Sequence, residues 1–152
     1  MSNRIADIRP AVHDDLFGIR DALEYGRTIA GRELPEGEFP FFLQYTLDLI
    51  AQKLVFVAVV GNDVVGIIAA DWAHWPWNRK SLFLDCKQFF VQPAFRKGAA
   101  ASKLLTAMKE RARELNMPLQ LSITYPDGAE EYKDRFLKMQ GFEYTGGNFW
   151  CK

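Results

Sequence analysis

Seventeen residues, Phe89–Leu105 (FFVQPAFRKGAAASKLL), limit what this chain can fold into more than any other stretch. Phe89–Val91 is apolar, as a strand buried in the middle of a sheet should be. Gln92–Pro93 makes a turn, Arg96 to Ala101 is a basic loop of small residues, and an amphipathic helix opens directly out of it. A loop without bulky side chains that ends in a helix N-terminus presents unpaired N–H groups to an anion. Arg96 and Lys97 add full positive charges where the helix dipole already favours a phosphate. Alanine is also the best helix former, so a well-started helix with a basic first turn accounts for the same letters. Lysine and arginine are nevertheless the wrong sign for a helix start, which favours an end that waits for a negative ligand.

The remaining elements follow from periodicity and breakers. Arg4–Arg9 alternates as a short strand, and a helix follows from Asp14 or Asp15, with Asp14 as N-cap and Leu16, Ile19 and Leu23 on one face. Arg27–Pro40 reads as a loop, and Phe42, Tyr45, Thr46, Leu49 and Ile50 mark a second helix. Leu54–Val60, Gly61-Asn62-Asp63 and Val64–Trp72 form a hairpin signature. An aromatic turn, Trp72–Trp77, leads to a fourth strand, Leu82–Val91. The helix after the basic loop runs from about Ala99 to Leu115, with Leu104, Leu105, Met108 and Leu115 inward and Asn116 and Pro118 as its stop. Leu119–Thr124 is a fifth strand, Ala129–Gln140 a helix, and Phe142–Tyr144 with Asn148–Cys151 a terminal ribbon. This order predicts an α/β (α+β, mixed-sheet) fold of three layers, with six to seven strands flanked by about four helices in a single domain over 1–152.

Val91-x-Pro93-x-x-Arg96 followed by Lys-Gly-Ala-Ala-Ala-Ser-Lys-Leu-Leu resembles motif A of the GNAT N-acetyltransferase superfamily. There a valine–x–proline closes the fourth strand, and an Arg/Gln-x-x-Gly-x-Gly/Ala loop wraps the pyrophosphate of acetyl-coenzyme A. Phe136-Leu137-Lys138-Met139-Gln140-Gly141-Phe142 is similar to the family's helix that ends in a Gly-Phe signature. The departures are local. Ala99 and Ala101 stand at the two small positions of the loop, and the glycine comes one place early, at Gly98.

The resemblance implies an N-acetyltransferase that moves acetyl from acetyl-coenzyme A to a primary amine of a small molecule or protein, by direct attack in a ternary complex. It implies that Phe89, Phe90 and Val91 hold the pantetheine arm, and that Arg96, Lys97, Gly98, Ala99, Ala100, Ala101 and Ser102 hold the pyrophosphate, with Lys103 within reach. An amine must lose its proton before it attacks a thioester. Asp85, six residues before Val91 and so on the same face of the strand, is the candidate base; a strand-end surface carboxylate is the other reading. The family's tyrosine acid, four residues before the Gly-Phe glycine, is here Leu137. Tyr132 on the same helix is the remaining candidate, and solvent can also protonate a coenzyme A thiolate. Trp72, His74, Trp75, Trp77, Asn78 and Arg79 occupy the segment that often lines the acceptor pocket, or they cap the sheet. Glu33, Glu36 and Glu38 draw a cationic acceptor or simply form a solvated loop. The rival reading is a non-catalytic coenzyme A-binding or protein-interaction module on the same scaffold.

Nineteen basic and nineteen acidic residues give zero formal net charge, so no global field draws nucleic acid or an anionic membrane. Cys86 and Cys151 show neither metal spacing nor a disulfide framework and read as small buried residues; no metal is expected. No apolar run is long enough to span a bilayer and no signal peptide is evident, so a cytoplasmic location is expected. A homodimer is compatible with the sequence, which does not fix the oligomeric state.

Overall fold

A computed structural model describes residues 5–29, 36–122 and 130–146, the side chains of 130–132 excepted. Its elements are β1 (Asp7–Pro10), α1 (Leu16–Thr28), α2 (Phe39–Ala51), β2 (Val55–Val60), β3 (Asp63–Trp75), β4 (Asn78–Val91), α3 (Ala100–Glu114), β5 (Leu119–Leu121) and α4 (Glu130–Met139). The strands lie in chain order, antiparallel except for the parallel β4–β5 pair, whose crossover is α3. Helices α1 and α2 cover one face of the sheet: Tyr25 packs edge-on against Phe90 of β4, and the Tyr45 hydroxyl reaches Asp71 of β3. Helix α3 covers the other face, with Leu104, Leu105 and Met108 fully buried against it.

Two expectations change here. The sheet has five strands among the described residues rather than six to seven, because Phe142–Tyr144 is irregular; Asn148–Cys151 lies outside the described residues. The aromatic segment Trp72–Trp77 is not a turn. Strand β3 runs on to Trp75 and β4 begins at Asn78, so most of these rings sit on a long hairpin. Tryptophan and histidine suit a pleated surface, which a search for turn residues overlooks.

Local chemistry sets the helix ends. Asp15, not Asp14, holds the start of α1: its Oδ2 accepts the Val12 N–H at 2.8 Å, and both its oxygens take the Arg9 guanidinium at 2.7 and 2.9 Å. The Arg9 bonds hold the Asp15 carboxyl below its ordinary range, against the opposing effect of burial. A depressed carboxylate stabilises the fold above its unfolded value near 3.9, and that contribution is lost as pH falls through the lower folded value. Asp15→Asn should therefore cost about 1–3 kcal/mol at neutral pH and flatten the acid limb of a stability-versus-pH curve measured by urea titration.

Helices α2, α3 and α4 each end in the same backbone device. The residue after the C-cap turns left-handed, and two N–H groups satisfy the last carbonyls: Lys53 to Ile50 and Leu54 to Leu49, Asn116 to Arg113 and Met117 to Ala112, Gly141 to Lys138 and Phe142 to Leu137. Gly141 at φ +88° carries this without strain. Lys53 at φ +58° does not, since its Cβ crowds the following carbonyl. Lys53→Gly should raise stability by about 0.5–1 kcal/mol in a thermal melt.

Candidate active site

Strand β4 departs from regular pairing where the chemistry would sit. Ala69 pairs with Gln88 and Ala70 with Cys86, so Lys87 is an extra residue, a β-bulge. Parallel pairing with β5 covers Leu84, Asp85 and Cys86, and beyond Cys86 the strand pairs with β3 alone among the described residues. Gln92 donates its N–H to Val65 at 2.8 Å. By strict alternation Phe90 also faces β3, and the N–H and C=O groups of Phe89 and Val91 turn outward to the open edge. The Val91 carbonyl is taken there by Arg96 Nε at 2.9 Å. Phe90 contributes its ring instead, to Tyr25 on one side and beneath the Arg96 guanidinium at 5.7 Å on the other.

The open edge points at the start of α3. No side chain caps that helix, its first turn holds no acidic residue, and the amides of Ala100, Ala101 and Ser102 find no acceptor among the described residues. Lys97 and Lys103 are exposed beside them. The Ser102 hydroxyl accepts a bond from Gln140 Nε2 at 3.2 Å, and Lys109 donates to the Gln140 carbonyl, which ties the end of α4 to the first turns of α3. Gly66 fixes how closely α3 approaches. A Cβ there would stand 3.1 Å from Leu104 Cδ1 and 3.3 Å from the Phe90 carbonyl oxygen.

The bulge also moves Asp85. Two-residue alternation put Asp85 and Val91 on one face, but the extra residue shifts the phase between them. Asp85, Gln88 and Phe90 face α1 and α2; Cys86, Phe89 and Val91 face α3. Asp85 lies directly across from Asp71, a pairing of like charges that needs compensation. Lys87 Nζ supplies it at 2.8 Å from Asp85 Oδ2, and the Tyr45 hydroxyl donates to Asp71 Oδ2 at 2.8 Å. Burial first, and the Asp71 bond second, push the Tyr45 phenol far above its usual value, so it remains a donor. Asp71, Tyr45 and Lys87 were missed in the sequence; Asp71 is the one charge in the run Val64–Trp72, which was the available signal.

A strand that parts from its parallel neighbour in front of an uncapped helix N-terminus can hold an extended chain along its edge and a phosphate at its end. The Acetyltransferase (GNAT) family matches the chain over residues 21–142. This chain belongs to the GNAT acetyltransferase family. Solved GNAT-like structures share its fold over nearly their whole length. A predicted acetyltransferase from Clostridium acetobutylicum, solved with acetyl-coenzyme A, has a TM-score of 0.75 at 16% identity, covering 97% of this chain and 96% of its own. An aminoglycoside acetyltransferase from an uncultured soil metagenomic sample, in complex with trehalose, has a TM-score of 0.70 at 15% identity, covering 100% and 99%. A third, an aminoglycoside acetyltransferase bound to a bisubstrate analogue of coenzyme A and an acetylneamine, has a TM-score of 0.70 at 16% identity over 97% of both chains. A comparison with curated protein sequences finds no match.

The other residues singled out in this GNAT chain fall as follows. Tyr132 lies in α4, and its side chain is outside the described residues. Leu137 is half-buried against the core. His74 is on the α3 side of the hairpin, with Nδ1 at 2.9 Å from the Trp75 carbonyl. Cys86 is buried, and burial pushes its thiol up to about 12, so it serves packing; Cys151 lies outside the described residues. Among the described residues no group of His, Cys, Asp and Glu is placed to hold a metal ion, and no helix is long and apolar enough to cross a membrane. A cleft of about 180 Å³ between α1, α2 and β4 borders Gln88 and carries Arg20, Glu24 and Arg27. A larger hollow of about 530 Å³ lies between α1 and α2, away from β4, and touches none of these groups.

Proposed function

We propose that this chain is an acetyl-coenzyme A-dependent N-acetyltransferase, one cytoplasmic domain over 1–152 that acetylates a primary amine by direct attack in a ternary complex. The observation that carries the reading is the open edge of β4 beyond Cys86, aimed at the uncapped start of α3. The pantetheine amides would bond to the outward groups of Phe89 and Val91, and the pyrophosphate would rest on the amides of Ala100–Ser102 beside Lys97 and Lys103. Ala99 and Gly98 keep the loop small enough for that approach. Arg96 holds the loop to the strand through Val91 and Phe90, so it shapes the cradle as well as adding charge.

The amine would arrive from the α1/α2 face, where Asp85 stands next to the bulge. It would enter as an ammonium, exchange with Lys87 at Asp85, and give the carboxylate its proton. The free amine nitrogen then bonds to the thioester carbon, and the negative charge moves to the carbonyl oxygen. The nitrogen gives its second proton to solvent, collapse of the tetrahedral adduct breaks the C–S bond to leave the neutral amide, and the coenzyme A thiolate takes a proton from solvent or from Tyr132. A backbone amide of the open edge aimed at the oxyanion is worth about 2.7–4 kcal/mol in such a step. Calorimetric titration with acetyl-coenzyme A, followed by thiol release across a panel of amines, tests the reading. Saturable binding with amine-dependent thiol release is expected. Neither binding nor release would sink it and leave the rival, an interaction module on this scaffold.

A further inference from the structure

The residue that bulges out of β4 is a lysine, and its amine stands where an acceptor nitrogen would have to stand. Lys87 is the unmatched position between the Ala70–Cys86 and Ala69–Gln88 pairs. A bulge re-aims the side chain it carries. Here it brings Nζ to 2.8 Å from Asp85 Oδ2, so the chain's own ammonium already sits on the candidate base. With its side chain 49% exposed, Lys87 has room to turn away from the carboxylate.

The cofactor arm would run toward the same place. It enters from the uncapped start of α3, bonds to Val91 and then to Phe89, and so travels down β4 toward Cys86. Lys87 is the second residue beyond Phe89, about 7 Å further at strand spacing. A short two-carbon chain separates the last pantetheine amide from the sulfur, which puts the thioester between Phe89 and Lys87. Lys87 therefore meets the thioester from the face that carries Asp85, and its proton has a carboxylate to go to. Asp71, across from Asp85, is already held by the Tyr45 hydroxyl and by the Trp72 N–H at 2.7 Å. Among these groups Lys87 brings the only positive charge.

We propose, resting on the acetyl-transfer reading above, that Lys87 is itself an acetylation site, modified by the acetyl-coenzyme A bound to the same chain. The Lys87 ammonium gives one proton to Asp85, and the freed lone pair forms the bond to the thioester carbon. The nitrogen gives its second proton to solvent, and the oxyanion re-forms the carbonyl as the C–S bond breaks. The coenzyme A thiolate takes a proton from solvent, and Asp85 returns its own. The products are Nε-acetyl-Lys87 and free coenzyme A. A neutral amide no longer pairs with a carboxylate, so the modification takes away the ammonium that occupies Asp85 in the unmodified chain.

The test incubates the full chain with acetyl-coenzyme A that carries a deuterated acetyl group and follows each lysine by peptide mass spectrometry. The label separates acetyl added in the tube from acetyl acquired in the cell. Lys53 and Lys80 are exposed and report the uncatalysed background. Lys87 should be acetylated at least tenfold faster than either, at a rate per chain that does not depend on protein concentration. Asp85→Asn should slow it by about 10²-fold or to background while still binding coenzyme A, and Asp85→Glu should restore much of it. When wild type is mixed with nitrogen-15-labelled Asp85→Asn, only the wild-type chains should gain acetyl at Lys87. Modification at the pace of Lys53 and Lys80, equal modification of Asp85→Asn, or transfer to the labelled chains would overturn the proposal. The underlying reading fails separately. Amine-dependent thiol release with Lys87 unmodified would keep the transferase and remove this site. Asp85-dependent acetylation of Lys87 without thiol release for any added amine would keep this site and remove the acceptor chemistry.

Discussion

Asp85→Asn should lower kcat by about 10²–10⁴-fold, the range over which a general base contributes, while the KM for acetyl-coenzyme A stays unchanged. The argument rests on position. Asp85 lies two residues before the bulged Lys87, is paired with β5 one register before the edge opens, and faces the side from which an amine would approach. Its ion pair with Lys87 is half in solvent, with side-chain exposures of 18% and 49%, so an incoming ammonium can exchange with it. Such a pair is worth at most about 1 kcal/mol to the fold, and the thermal midpoint of Asp85→Asn should hardly move. Asp85→Glu keeps the charge with one more methylene and should restore a large part of the rate. If Asp85→Asn keeps wild-type kcat, the amine is deprotonated elsewhere and Asp85 is only a counter-charge for Lys87.

Most of the fold was legible because it depends on local rules that the sequence states openly. The apolar runs of β2 and β3, the Gly61-Asn62-Asp63 turn and the helix of Leu104, Leu105 and Met108 each follow one periodicity, and all appear where expected. The Gly-Phe signature has a physical cause that a reader of letters can only match: Gly141 takes the left-handed cap of α4, and Phe142 closes it back onto Leu137. The site was less legible because it depends on pairing between strands. A bulge is a mismatch between two strands, so the shift at Lys87 cannot be read from β4 alone, and the face of Asp85 came out reversed. Asp71, which stands across from Asp85, and the Tyr45 hydroxyl that holds it arrive from β3 and α2, at separations no motif covers. The roles of Phe89, Phe90 and Val91 divide for the same reason: alternation against β3 decides which backbone groups are free.

Reversing both Lys97 and Lys103 to glutamate should weaken coenzyme A binding about 100-fold, or about 2.7 kcal/mol, while the fold becomes slightly more stable. The opposite signs separate the two readings of Phe89–Leu105. As a helix start, the first turn of α3 is poorly built, with no cap, no acid and amides without acceptors among the described residues. A glutamate at position 103 meets the positive end of the dipole and should contribute about 0.3–1 kcal/mol, or about 1–4 °C in Tm. As a phosphate cradle the same change is harmful, because the new carboxylates compete for the N–H groups and repel the pyrophosphate. Both lysines are exposed, so neither reversal buries a charge. Calorimetry with coenzyme A and a thermal melt on the same sample read the two effects together. A higher Tm with unchanged affinity would make the alanine-rich run an ordinary helix and place the cofactor elsewhere. A higher Tm with lost affinity means that the chain gives up helix stability at this end to keep its amides open to an anion.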